Sequence, residues 1–113
     1  MTHRPIQIGS IKLENFTIFA PLAGITNLPA RLLAREAGCG LVCSEMISSN
    51  GLVYGSQKTR QLMESDPAEK PLSVQIFGSD PKIMADAAQI ETKARELLEM
   101  QEPGETHILV VSP

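Results

Sequence analysis

Hydrophobic and polar positions alternate at the start of the chain. Ile6 and Ile8 flank Gln7, Gly9-Ser10 interrupts, and Ile11 and Leu13 flank Lys12. Period-two alternation on both sides of a two-residue turn predicts a hairpin over residues 3–15. The pattern then changes. Phe16 to Ala20 is a near-continuous apolar run, the mark of a strand covered on both faces, and it stops at Pro21. Leu28, Leu32, Leu33 and Ala37 follow at helical spacing. Thr26 or Asn27 offers the cap, Pro29 sits in the first turn where a missing N–H costs nothing, and Gly38 supplies the stop.

The same alternation of run and stripe continues. Gly40 to Ser44 predicts a second strand, and Glu45 to Leu52 a polar-rich loop or short helix. Gln57 to Glu64 predicts a short polar helix ended by Asp66-Pro67. Leu72 to Phe77 predicts a third strand. Gly78-Ser79-Asp80-Pro81 then supplies turn, cap and first-turn proline for a helix with a stripe of Ile83, Met84, Ala87, Ala88 and Ile90. Glu91 to Met100 continues the helical pattern, Pro103-Gly104 breaks it, and His107 to Val111 is a candidate fourth strand. Strand and helix alternating through short connections predict a parallel α/β sheet or barrel. Three units fall short of the eight in a (β/α)8 barrel, which takes roughly 250 residues.

Composition narrows the class without naming an activity. The 113 residues are 42% hydrophobic and 20% charged, ordinary for a globular domain with a real core. A net charge of −3 gives no hint of a nucleic-acid surface within the chain; if RNA is the substrate, most of the basic surface lies elsewhere. Cys39 and Cys43 have no second pair and are read as small buried hydrophobes rather than zinc ligands, a disulfide or a nucleophile. They fit a reducing, cytoplasmic setting. No window reaches the ~20 apolar residues of a membrane span, and no metal or membrane partner is expected.

Candidate chemistry gathers after the first strand. Pro21-Leu22-Ala23-Gly24 leaves that strand at its carboxyl end, where α/β sheets place ligands. Ala23 and Gly24 let the backbone approach a ligand closely. The competing reading is a plain turn. Glu45 follows the second strand at the same end, where it either bonds loop N–H groups or contacts substrate. Asn50 shares its loop and its ambiguity.

Three segments together carry a resemblance. Ala20-Pro21-Leu22-Ala23-Gly24-Ile25-Thr26, Ser44-Glu45-Met46-Ile47-Ser48 and Val74-Gln75-Ile76-Phe77-Gly78-Ser79-Asp80-Pro81, in this order and spacing, make residues 5–90 resemble the N-terminal part of the tRNA-dihydrouridine synthases. The resemblance implies an FMN enzyme built on a (β/α)8 TIM barrel that reduces uridine in tRNA with NADPH as reductant. It implies flavin contacts at Pro21, Leu22 and Ala23, which would pack on the isoalloxazine ring, and at Gln75, which would hydrogen-bond it. Leu22 stands where the family more often has Met, an apolar swap a flat ring tolerates. Arg31 matches a family arginine on the first helix, while Ala30 replaces a more usual aromatic.

The departures set the expected scope. The family's proton-donor Cys, in an Asn-x-Gly-Cys-Pro loop after the fourth strand, has no counterpart here, and Cys43 does not inherit its role. No catalytic residue is therefore assigned. The match ends at Ile90. The expected fold is α/β, a partial TIM barrel of about three β/α units with an N-terminal hairpin over residues 1–90, followed by a divergent helix and possible strand over 91–113. A truncated or frame-shifted reading of a longer gene would produce it. The expected function is an inactive N-terminal fragment of such a synthase. The alternatives are another FMN-dependent TIM-barrel oxidoreductase and a non-catalytic remnant. Barrel-facing side chains such as Val74 and Ile76, or their neighbours, would lose their packing, so self-association through an open edge is expected.

Overall fold

Gly9-Ser10 reverses the chain between two three-residue strands, β1 (Ile6–Ile8) and β2 (Ile11–Leu13), which pair antiparallel with Ile8 opposite Ile11. The computed structural model describes residues 6–99 and 107–112, with side chains through residue 94. Residues 3–5 of the expected hairpin, Met100 of the expected helix and the Pro103-Gly104 break lie outside the described residues.

The remaining strands form one parallel sheet. β3 (Ile18–Phe19), β4 (Leu41–Ser48), β5 (Leu72–Phe77) and β6 (His107–Ser112) lie side by side in chain order. Between them run α1 (Leu28–Glu36), the short helices α2 (Ser49–Val53) and α3 (Gln57–Leu62), a 3-10 turn at Pro67–Glu69, and the long α4 (Pro81–Glu99). The chain is α/β, as its pattern predicts.

Two runs depart from expectation. The first strand is two residues long rather than five. The second extends through Glu45 to Ser48, a stretch expected as loop or helix. Cys43 pairs with Ser73 and Met46 with Gln75, so Ser44 and Glu45 together oppose Val74. That is a β-bulge, which spares the strand from having to bury a carboxylate at a regular position. The helix expected near Glu45 begins only at Ser49, capped by the Ser48 hydroxyl, which accepts from Gly51 N at 3.2 Å.

α1 starts on Asn27, whose Oδ1 accepts from Ala30 N at 3.1 Å, and stops where Gly38 adopts φ +101°. Its buried side is not the expected stripe. Arg31 is buried, while Leu33 is exposed. At about 100° per residue, turning Arg31 inward carries Leu33 to the far side. On α4 the inward stripe is Met84, Ala87 and Glu91; Ile90 is exposed.

The core lies between the sheet and its helices. Leu72, Val74 and Ile76 of β5, with Val42 and Ile47 of β4, face Leu52, Met84 and Ala87 and are almost fully buried. Each such side chain contributes ~1.5–3 kcal/mol. Val74 and Ile76 thus face the helices, so of the two sets expected to face the barrel side it is their neighbours that do. The opposite face carries their neighbours Ser73, Gln75 and Phe77, with Cys43, Met46 and Ser48 at the paired positions of β4. At its amino end that face is covered by the hairpin, through Ile11 and Leu13 on Leu41. At its carboxyl end Met46 and Phe77 are exposed. Among the described residues no helix is long and apolar enough to cross a membrane.

Candidate functional site

The loop after β3 is tied in a closed knot. Leu22 O accepts from Ile25 N at 3.0 Å and from Thr26 N at 2.9 Å. The Thr26 hydroxyl accepts from Leu22 N at 3.0 Å and lies 3.1 Å from Leu22 O. Thr26 is wholly buried and closes the loop, which leaves capping of α1 to Asn27. Gly24 has φ +76°, with nothing within 4 Å of where a Cβ would sit. The position needs glycine for its backbone conformation rather than for space. Pro21 is half-buried; Leu22 and Ala23 are exposed on the outside of the knot, at the carboxyl end of the sheet.

Two side chains from elsewhere hold this loop. Glu45 Oε1 accepts from Gly24 N at 2.5 Å. The loop-bonding alternative for Glu45 is therefore the geometry the structure has. At the other end, Thr26 O accepts from Arg31 Nη1 at 2.8 Å. Arg31 is itself gripped: Nε donates to Glu69 Oε2 at 2.5 Å, and Nη2 reaches Glu69 Oε1 at 3.3 Å and Glu64 O at 2.9 Å. Arg31 and Glu69 are 2% and 0% exposed, so this ion pair is dry. Ser65 Oγ donates to the same carboxylate at 2.6 Å.

Gln75 is half-buried on β5, beside Met46. Its backbone N–H donates to Ser44 Oγ at 3.3 Å, and Ser44 Oγ donates to Glu45 O at 2.9 Å. The structure therefore links Pro21–Ala23, Glu45 and Gln75 into one assembly at the carboxyl end of the sheet. It sets Asn50 apart, exposed in the first turn of α2.

At this end of the sheet Leu22, Met46 and Phe77 are exposed, and Gln75 pairs with Met46. Cys43 lies deeper on the same face. Burial pushes its thiol above the ordinary 9.0; a hydrogen bond with Ser73 opposes that, and Cys39 adds a little to it. A neutral buried thiol is a poor nucleophile. On the outer side of Glu45, a cleft of about 230 Å³ runs between α1 and α3, lined by Asn27, Arg31, Glu45, Lys58, Gln61 and Glu64.

Sequence patterning offered Thr26 only as a cap, quoted Ser44 and Met46 in a segment without giving them a role, and missed Glu69. The roles of Ser44 and Met46 had no local signal, because a bulge is not visible in one strand's own residues. Glu69 is 38 positions from Arg31, and nothing in the periodicity connects them.

Comparison with known proteins gives the family. The model of the family described as Dihydrouridine synthase (Dus) matches residues 18–97. The tRNA-dihydrouridine synthase B of Escherichia coli K12 is 48% identical over 89 residues, 79% of this chain and 28% of that protein. The protein of the same name from Pseudomonas aeruginosa is 44% identical over 84 residues, 74% of this chain and 25% of its own length. That of Vibrio vulnificus is 43% identical over 88 residues, with 78% and 27% covered. The chain spans about a quarter of the length of the curated relatives it matches. No solved structure matches it.

Proposed function

This chain belongs to the dihydrouridine synthase family, and from that premise we propose that it forms the N-terminal part of a flavin-dependent tRNA-dihydrouridine synthase barrel. The whole enzyme would reduce uridine to dihydrouridine in tRNA, in the cytoplasm, with NADPH as the source of electrons. Within this reading residues 1–90 supply the first β/α units, and beyond residue 90 the chain completes α4 and adds β6 in the place of a fourth barrel strand.

The observation that carries the reading is Gln75. It sits on the sheet face away from the helices, paired with Met46 and one bulge away from the Pro21–Ala23 loop. The residues present fit the ring of FMN. Leu22, Met46 and Phe77 are exposed apolar groups for a flat aromatic surface, and the Gln75 amide carries both a donor and an acceptor for the polar edge of the ring. When bound, FMN supplies the hydride chemistry. The residues of this chain would pack on the ring, hold its edge, and keep water from one side of it. They would not deliver the proton, because Cys43 is buried within β4 and does not reach the exposed surface.

The test is retention of FMN. In a full-length protein carrying this segment, Gln75→Ala is expected to weaken FMN binding by ~1–3 kcal/mol, the loss of one buried hydrogen bond. Unchanged FMN occupancy after exhaustive dialysis overturns the assignment. The 113-residue chain alone is expected to form no dihydrouridine, since a missing general acid costs ~10²–10⁴-fold and the rest of the flavin site would be missing too. Dihydrouridine in the tRNA of cells that contain this polypeptide and no other synthase contradicts that expectation.

A further inference from the structure

We propose that the Ser44–Glu45 bulge is a positioning device that fixes the Pro21–Thr26 loop and Gln75 relative to each other, so that neither half of the ligand surface moves without the other. That the surface takes a flavin rests on the reading above; the coupling itself rests on the geometry alone. Two residues of β4 oppose one of β5 at this point, with Cys43 against Ser73 and Met46 against Gln75. A bulge re-aims side chains that a regular strand would send to alternate faces. Here it does so twice within one dipeptide.

Ser44 turns inward. It is 1% exposed, and its hydroxyl accepts the Gln75 N–H at 3.3 Å where the ladder register shifts. Glu45 turns outward over the loop, and its Oε1 accepts the Gly24 N–H at 2.5 Å. The hydroxyl of Ser44 also donates to the carbonyl of Glu45 at 2.9 Å, which stiffens the dipeptide between its two grips. Through these bonds the backbone of Gln75 and the backbone of Gly24, which are 51 positions apart in sequence, share a two-residue bracket. A carboxylate accepting a backbone N–H is among the stronger hydrogen bonds available to a side chain, and it directs that amide toward one point.

Ser44 and Glu45 are thus positioning residues. Their own atoms are spent on the protein, and their effect on a ligand passes through Gly24 and Gln75. Changing one grip should therefore be felt at the other.

The experiment is amide hydrogen exchange with nitrogen–proton spectra on the 113-residue chain, comparing the native sequence with Glu45→Ala, Glu45→Gln and Ser44→Ala. Glu45→Ala should speed exchange at Gly24 about tenfold or more, the value of one charge-assisted hydrogen bond. It should also shift the Gln75 amide resonance. Ser44→Ala should do the converse, loosening Gln75 and moving Gly24. Glu45→Gln keeps an oxygen acceptor in the same place, so it should restore most of the Gly24 protection without the downfield position that the carboxylate gives.

The coupling is overturned if each substitution alters only its own contact. It is overturned too if the Gly24 amide of the native chain exchanges at the rate of an unfolded peptide. FMN titrated into full-length proteins carrying the same four sequences, and followed by flavin fluorescence, separates this from the functional reading. If the native full-length protein quenches FMN and Glu45→Ala raises the dissociation constant about tenfold with Glu45→Gln in between, both stand. If the native full-length protein leaves FMN fluorescence unchanged while the amide coupling is seen in the 113-residue chain, the bracket stands and the flavin reading loses its support.

Discussion

Arg31→Met is the substitution from which the structure predicts most. The guanidinium is 2% exposed and makes hydrogen bonds to Glu69 Oε2, Glu69 Oε1, Thr26 O and Glu64 O at 2.5, 3.3, 2.8 and 2.9 Å. Methionine keeps the length of the stem and the helix propensity of α1 while removing every donor. The Glu69 carboxylate then stays at 0% exposure with the Ser65 hydroxyl still donating to it, and two carbonyls lose the same partner. Removing one member of a buried ion pair costs ~3–5 kcal/mol, because the other charge is left in a dry site. A domain of this size has roughly 5–15 kcal/mol in total. With a urea slope of about 1–3 kcal/mol per molar, the midpoint should fall by roughly 2 M.

The assay is urea unfolding followed by far-ultraviolet circular dichroism, run at several protein concentrations so that association does not pass for stability. The control is Arg31→Met with Glu69→Leu. Replacing both charges by apolar groups of similar bulk removes the stranded carboxylate, so the double variant should be more stable than Arg31→Met alone. A loss under about 1 kcal/mol for Arg31→Met, or simple additivity in the double variant, refutes the reasoning: the pair would then be too well solvated to organise the loop.

Two other outcomes follow from the same geometry. The Cys43 thiol ionises above its ordinary 9.0 when folded, chiefly because it is buried; its contribution to stability is complete below pH 9 and declines as the pH rises and the unfolded chain ionises first, so native protein should lose stability more steeply than Cys43→Ala above pH 9 in parallel melts. The sheet leaves Met46 and Phe77 exposed at its carboxyl end and Ile18 exposed on an outer strand, so the isolated chain should self-associate, and a monodisperse monomer with a sharp melt in size-exclusion chromatography and calorimetry contradicts this.

Much of the fold was legible because local chemistry and tertiary structure agree. β5 runs from Leu72 to Phe77, the same bounds as the apolar run, and α1 begins on one of the two caps offered. β4 was cut short at Ser44 because a glutamate inside an apolar run reads as the run's end. What lets the strand continue through Glu45 is a partner strand and a loop amide, neither of which is near it in sequence. Arg31 was hidden for a similar reason. Arg31 is one of two arginines on α1, with Arg35, and nothing local marks it for burial, which depends on a carboxylate 38 positions on.

The orientation of β5, left open between Val74 and Ile76 and their neighbours, was legible in full, and the proposed ligand surface turns on it. Leu72, Val74 and Ile76 alternate with Ser73 and Gln75, a period-two signal inside a run that looks continuously apolar. In a strand covered on one side by helices, the wholly apolar positions belong to the helix side, because Met84, Ala87 and Leu52 offer nothing for a polar group to bond. Ser73 and Gln75 are thereby sent to the other face, where hydroxyl and backbone partners exist. The placement of Gln75 on the sheet face away from the helices thus follows from what Val74 and Ile76 exclude. A single change of register by one residue would bury the amide under α4 and present Val74 and Ile76 in its place. The bulge at Ser44–Glu45 works against such a slip, because Ser44 can accept from the Gln75 N–H only in the register observed.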